Sequence, residues 1–89
     1  MQITLEEAKI YLRVDNDIED REILQMIEMS EQLVCDVIRL DKLSAYSNLI
    51  RAAVLYAVAY LYEHREDANF AELRLMLRSL LMDIRKEVF

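Results

Sequence analysis

Polar and apolar positions alternate along the chain in four stretches of helical spacing. In the first, Leu5, Ala8 and Leu12 share one face of a short helix over about residues 5–13. Thr4-Leu5-Glu6-Glu7 ahead of it is a capping box, in which the Thr4 hydroxyl accepts from the third helical amide and Glu7 reaches back. Asp15-Asn16-Asp17 breaks this helix. Asp17 is the expected N-cap of the next, with Glu19, Asp20 and Glu22 near its positive end. The second stretch runs over about residues 18–39, where Ile23, Ile27, Val34 and Val37 recur and Met26, Leu33 and Leu40 widen the stripe. Glu28, Glu31 and Asp36 form its polar face. Residues 40–47 read as a connection, with Ser47 or Ser44 capping a third helix over about 48–65.

From Leu49 to Tyr62 the only charge is Arg51, and a helix apolar on all sides is expected to be buried on all sides. Ala52, Ala53, Ala57 and Ala59 permit close helix approach, and Tyr56, Tyr60 and Tyr62 can pack their rings while directing hydroxyls outward. Glu63 to Asp67 ends the apolar run. In the short connection Ala68-Asn69-Phe70, Asn69 suits either a left-handed or a capping conformation. A fourth helix over about 71–87 presents Leu73, Leu77, Leu80, Ile84 and Val88, widened by Met76. Leu75 and Met82 fall off that face and hint at a second buried surface.

Composition sharpens this picture. The 89 residues contain no Gly, Pro or Trp, where average usage would supply about ten Gly and Pro together. Phosphate-cradling Gly loops are excluded, and tight β-hairpins lose their best turn residues. The expected fold is all-α: a compact bundle of about four helices, one short and three longer, forming a single domain over 1–89. At 55% hydrophobic, so small a body carries more apolar side chains than it can cover alone, which points to an oligomer.

The formal net charge of −6 argues against a dedicated nucleic-acid binder. Residues 1–41 hold eleven acids and four bases, whereas residues 42–89 hold six acids and seven bases. Arg74, Arg78 and Arg85 fall within about 40° of one another on a helical wheel. They form either a solvated face or a contact face for an acidic surface, including the N-terminal half of a neighbouring copy.

Little in the chain suggests chemistry. The single cysteine, Cys35, reads as a small buried hydrophobe, and the single histidine, His64, as structural or solvated. Asp15-x-Asp17-x-Glu19 opens like a calcium-binding loop, but Asp20 stands where Gly is required and Met26 where Glu is required. No catalytic, cofactor-binding or metal-binding residue is assigned, and no enzyme is expected. The N-terminus has no signal-peptide pattern. The longest uncharged apolar run, Ala52 to Tyr62, falls short of the ~20 residues of a membrane span, so a cytoplasmic protein without membrane contact is expected.

Two stretches carry a family resemblance. The first is Ile3-Thr4-Leu5-Glu6-Glu7-Ala8-Lys9-Ile10-Tyr11-Leu12-Arg13-Val14-Asp15, followed by the spacer Asn16 to Asp20; the second is Ala59-Tyr60-Leu61-Tyr62-Glu63-His64-Arg65-Glu66. The pair resembles the small head–tail connector (adaptor) proteins of tailed bacteriophages and prophages, whose first helix reads much like TLEEAKxYLRxD and whose central helix ends in LYExRE. The matching positions are Thr4, Leu5, Glu6, Glu7, Ala8, Lys9, Tyr11, Leu12, Arg13 and Asp15, then Leu61, Tyr62, Glu63, Arg65 and Glu66. The chain departs from the family in lacking a Gly after the long helix and a Pro before the central one, and its last connection, about 67–70, is short.

The resemblance implies a homo-oligomeric ring of roughly a dozen copies that docks beneath the portal protein and extends the DNA channel. It also implies a platform for a stopper or tail-completion protein, with DNA passing through without sequence-specific binding. The implied location is the virion head–tail junction, after assembly in the bacterial host cytoplasm. Tyr56, Tyr60, Tyr62, Arg74, Arg78 and Arg85 are the expected interface residues, with intrachain core the competing role for the tyrosines. For Glu63, Arg65 and Glu66 the alternatives are a local salt-bridge network and partner binding. The rival to the connector reading is a small acidic helical regulatory or adaptor module acting as a dimer.

Overall fold

A computed structural model describes residues 3–38 and 48–81. The helices in order are α1 (Leu5–Leu12), α2 (Asp20–Ile38), α3 (Asn48–Glu63) and α4 (Phe70–Leu80). No strand occurs among the described residues, and the all-α expectation holds. Leu40, Ser44, Ser47, Met82, Ile84, Arg85 and Val88, each given a role in the sequence reading, lie outside the described residues.

The capping box of α1 forms as expected. Thr4 Oγ1 accepts from the Glu7 amide at 3.1 Å, and Glu7 Oε1 accepts from the Thr4 amide at 3.2 Å. At the other end the helix stops at Leu12, one residue early, because Arg13 turns left-handed at φ 62°. The Arg13 amide then bonds the Ile10 carbonyl at 3.1 Å and the Val14 amide bonds that of Lys9 at 2.9 Å. This is the pairing that ends many helices, normally with Gly at the left-handed position. In a chain without Gly, an arginine takes that role against its steric preference.

α2 starts at Asp20 rather than near Ile18, and Asp17 is not its side-chain cap. Asn16 Oδ1 accepts from the Ile18 amide at 3.1 Å and folds the segment into a tight turn. The Asp17 carboxylate instead meets Lys9 Nζ at 3.0 Å, and the same ammonium lies 2.9 Å from Asp20. One lysine of α1 thereby clasps the turn that leads into α2.

Cross-chain contacts fix the topology. The Ile3 amide donates to Glu31 at 3.1 Å while Lys9 meets Asp20, so α1 runs antiparallel to α2. The last turn of α3 meets Glu19 through Tyr62, so α3 is antiparallel as well. Phe70 lies with Met26 and Met29, and Arg74 and Arg78 lie with Asp36 and Val37, so α4 runs alongside α2 in the same direction. The result is an up-down-up-down bundle.

Its core joins Ile23, Ile27 and Val34 of α2 to Ile50, Val54, Ala57 and Val58 of α3 and to Leu73, Leu77 and Leu81, all essentially without solvent exposure. Ile3 and Ala8 close the α1 side. Ser30 is fully buried among these groups, and its hydroxyl has no hydrogen-bond partner among the described residues. An unpaired buried hydroxyl costs about 1–3 kcal/mol in lost hydration. Ser30→Ala is therefore expected to stabilise the chain by about 1 kcal/mol, read as a higher midpoint in urea.

The central helix departs from its expected burial. Only Ile50, Ala53, Val54, Ala57, Val58 and Leu61 of α3 are buried. Leu49, Leu55, Tyr56, Ala59 and Tyr60 are half-buried and Ala52 is exposed. Among the described residues one face of α3 is fully buried and the opposite side is covered only in part. α4 shows the same surplus: Leu73 and Leu77 are buried, while Met76 and Leu80 are each 40% exposed and Leu75 is 62% exposed.

Candidate assembly surfaces

The three tyrosines of α3 turn their hydroxyls back onto their own chain rather than outward. Tyr62 donates to Glu19 Oε1 at 2.8 Å. Arg65 pairs with the other oxygen of Glu19, donates from Nε to the Tyr62 carbonyl at 3.1 Å, and lies over the Tyr62 ring at 4.4 Å. These contacts lock the end of α3 to the residue just before α2. Arg65 of the second motif thus serves a local salt bridge, and Glu63 and Glu66 beside it are exposed.

The Glu19 carboxyl is held below its ordinary value, first by the Tyr62 hydroxyl and then by Arg65. Glu19 in turn pushes the Tyr62 hydroxyl and the Arg65 guanidinium up. A carboxylate depressed in the folded chain stabilises it above the ordinary carboxylate value, and this contribution disappears as pH falls through the depressed value. Glu19→Gln is accordingly expected to lower the urea midpoint at neutral pH and to have little effect well below pH 4.5. An equal loss at both pH values would assign the effect to packing instead.

Tyr60 organises the turn into α4. Its hydroxyl accepts from the Asn69 amide at 3.1 Å and donates to the Asn69 carbonyl at 3.5 Å. Asn69 Oδ1 accepts from the Glu72 amide at 3.0 Å with φ −108°, so this residue is a cap in extended geometry and not a left-handed one. The Tyr60 ring stacks on His64 at 4.4 Å, and His64 Nδ1 lies 3.4 Å from Asp67. The Tyr56 hydroxyl lies 3.4 Å from the Met76 sulfur. Each of the three tyrosines is half-buried.

The first motif mainly builds the fold. Thr4 and Glu7 cap, and Glu7 also pairs with Arg51 at the start of α3. Ala8 is buried, Leu5 and Leu12 pack against the core, and Lys9 clasps the turn. Glu6, Tyr11, Arg13 and Asp15 are exposed.

Arg74 and Arg78 are exposed on α4, beside Asp36 and Val37. Neither makes an ion pair with a described residue. Arg85, the third arginine of the predicted stripe, is outside the described residues. At the opposite end of the bundle, Ile10 and Ile18 are 78% and 85% exposed.

Among the described residues no group of three or more His, Cys, Asp or Glu side chains is placed to hold a metal ion. No described helix is long and apolar enough to cross a membrane. Cys35 is buried, and burial first, then the charges of Asp36 and Glu31, push its thiol up, away from the reactive thiolate.

The partly covered outer side of α3 and the exposed Ile10, Ile18 and Leu75 leave apolar side chains at the surface of this four-helix unit. The chain belongs to the phage gp6-like head-tail connector protein family, whose profile matches residues 2–80. This membership gives it a structural connector role at the head–tail junction of a phage particle. No curated protein and no solved structure matches it.

Proposed function

We propose that this chain is a connector subunit that closes into a ring of roughly a dozen copies, docks on the portal and extends the DNA channel toward the tail. The ring then offers its far side to a stopper or tail-completion protein. The reading rests on the family match over residues 2–80. It is supported by the side of α3 that the described residues cover only in part, with Tyr56 and Tyr60 half-buried along it. In a heterologous, closed assembly each copy covers a different surface of the next, which suits a molecule whose exposed apolar groups are spread over more than one side.

Tyr56, Tyr60 and Tyr62 are proposed to present ring faces to neighbours, and Arg74, Arg78 and Arg85 to meet acidic surfaces of neighbours or partners. DNA would traverse the channel without being gripped, since a subunit of net charge −6 offers few phosphate contacts. Assembly takes place in the host cytoplasm. Interrupting the coding sequence in the phage genome tests the role. DNA-filled heads that fail to join otherwise complete tails are expected. Normal virions, or loss of gene regulation with intact morphogenesis, would contradict it and favour a regulatory module.

A further inference from the structure

An acidic turn and a pair of arginines lie at opposite ends of one helix. Asp15, Asp17 and the exposed Ile18 occupy the turn just before α2, whereas Arg74 and Arg78 lie against Asp36 and Val37 in its last turns. From Asp20 to Asp36 the helix spans about 24 Å at 1.5 Å per residue. Each end also carries one prominent apolar side chain, Ile18 at 85% exposure and Leu75, beside the arginines, at 62%.

Arg74 and Arg78 are four residues apart, a like-charge spacing that weakens an isolated helix. No described carboxylate closes an ion pair with either. In the acidic turn, Asp17 is 92% exposed even while it touches Lys9, and Asp15 is exposed. Neither end can satisfy the other within one chain, because the length of α2 separates them.

We infer that a second copy of this chain covers the basic end: the Asp15–Ile18 turn of one subunit docks on the Arg74–Leu75–Arg78 surface of the next. The inference rests on the ring reading above and names the contact that would propagate the ring. Opposite charge sets the polarity and register of the contact, and Ile18 and Leu75 supply the apolar area that exposed ion pairs alone do not. A donor at one end and an acceptor at the other propagate head to tail into a ring, whereas an antiparallel two-fold dimer would use both contacts at once and stop at two copies, a difference that the sedimentation mass reads.

Complementary charge reversal tests this. One variant carries Arg74→Glu and Arg78→Glu; the other carries Asp15→Lys and Asp17→Lys. Circular dichroism establishes that both are folded, and sedimentation velocity in low salt measures assembly. Each variant alone faces like charge with like at every contact, and at least tenfold weaker self-association than wild type is expected. Mixed in equal amounts, every alternating contact again joins opposite charges, and assembly is expected to return. Variants that assemble as well as wild type, or a mixture that stays dissociated, would overturn the assignment while leaving the connector reading standing. A wild-type chain that remains monomeric alone also overturns it. Failure to bind a portal as well would remove the ring reading itself.

Discussion

Ile27→Ala is expected to cost about 2–5 kcal/mol, the range for emptying a fully buried isoleucine site. Ile27 has no solvent exposure and sits midway along α2, in the core shared with α3 and α4. Truncation removes the transfer free energy of the deleted carbons and leaves a cavity that rigid helices cannot collapse. A domain of this size has a total stability on the order of 5–13 kcal/mol, so one such change consumes a large part of it. Urea denaturation followed at 222 nm measures the loss. Ile27→Val, which removes a single methyl, is expected to cost about 0.5–1.5 kcal/mol. A loss below that for the alanine variant would mean that Ile27 is not part of the core.

The opposite error is expected at Ala57, also without exposure and on the buried face of α3. Its methyl group permits close packing of α3, and Ala57→Leu forces added carbons into that seam. Overpacking of this kind costs about 1–3 kcal/mol. The matched control is Ala52→Leu on the exposed side of the same helix, expected to change the stability of the isolated chain by no more than about 0.5 kcal/mol. Equal effects at both sites would contradict the one-sided burial of α3. Alanine at 53 and 57 is thus a packing choice as well as a helix-forming one.

The helices were readable in the sequence because their causes are local. Thr4 and Glu7 are three residues apart, and a capping box needs only that spacing. Ile23, Ile27, Val34, Leu73 and Leu77 announced their buried faces by periodicity alone. Asn69 offered a cap or a left-handed turn, and the Tyr60 hydroxyl bonding both its amide and its carbonyl accompanies the capping geometry.

The remainder depended on contacts that no local pattern encodes. Glu19 pairs with Arg65 across 46 positions, so its role as an anchor was hidden behind its equally good fit to a helix start. Asp17 resembled a cap by type and place, but Lys9 competes for its carboxylate. The left-handed Arg13 had no signal either, since the usual marker is a glycine and the chain has none. The outward hydroxyls expected of the tyrosines overlooked Glu19, Asn69 and Met76, each brought into reach only by tertiary packing. Family membership was legible from Thr4-Leu5-Glu6-Glu7 and Leu61-Tyr62-Glu63 together, although much of that signature turns out to maintain the fold.

The central claim is that this small acidic bundle acts as a ring-forming connector. The most direct test is the native mass of the full chain mixed with the portal of its own phage, with negative-stain images of the same sample. A stable complex carrying roughly a dozen copies in a closed ring on one end of the portal is predicted. A chain that remains a monomer or dimer and separates from the portal at every concentration would contradict the account.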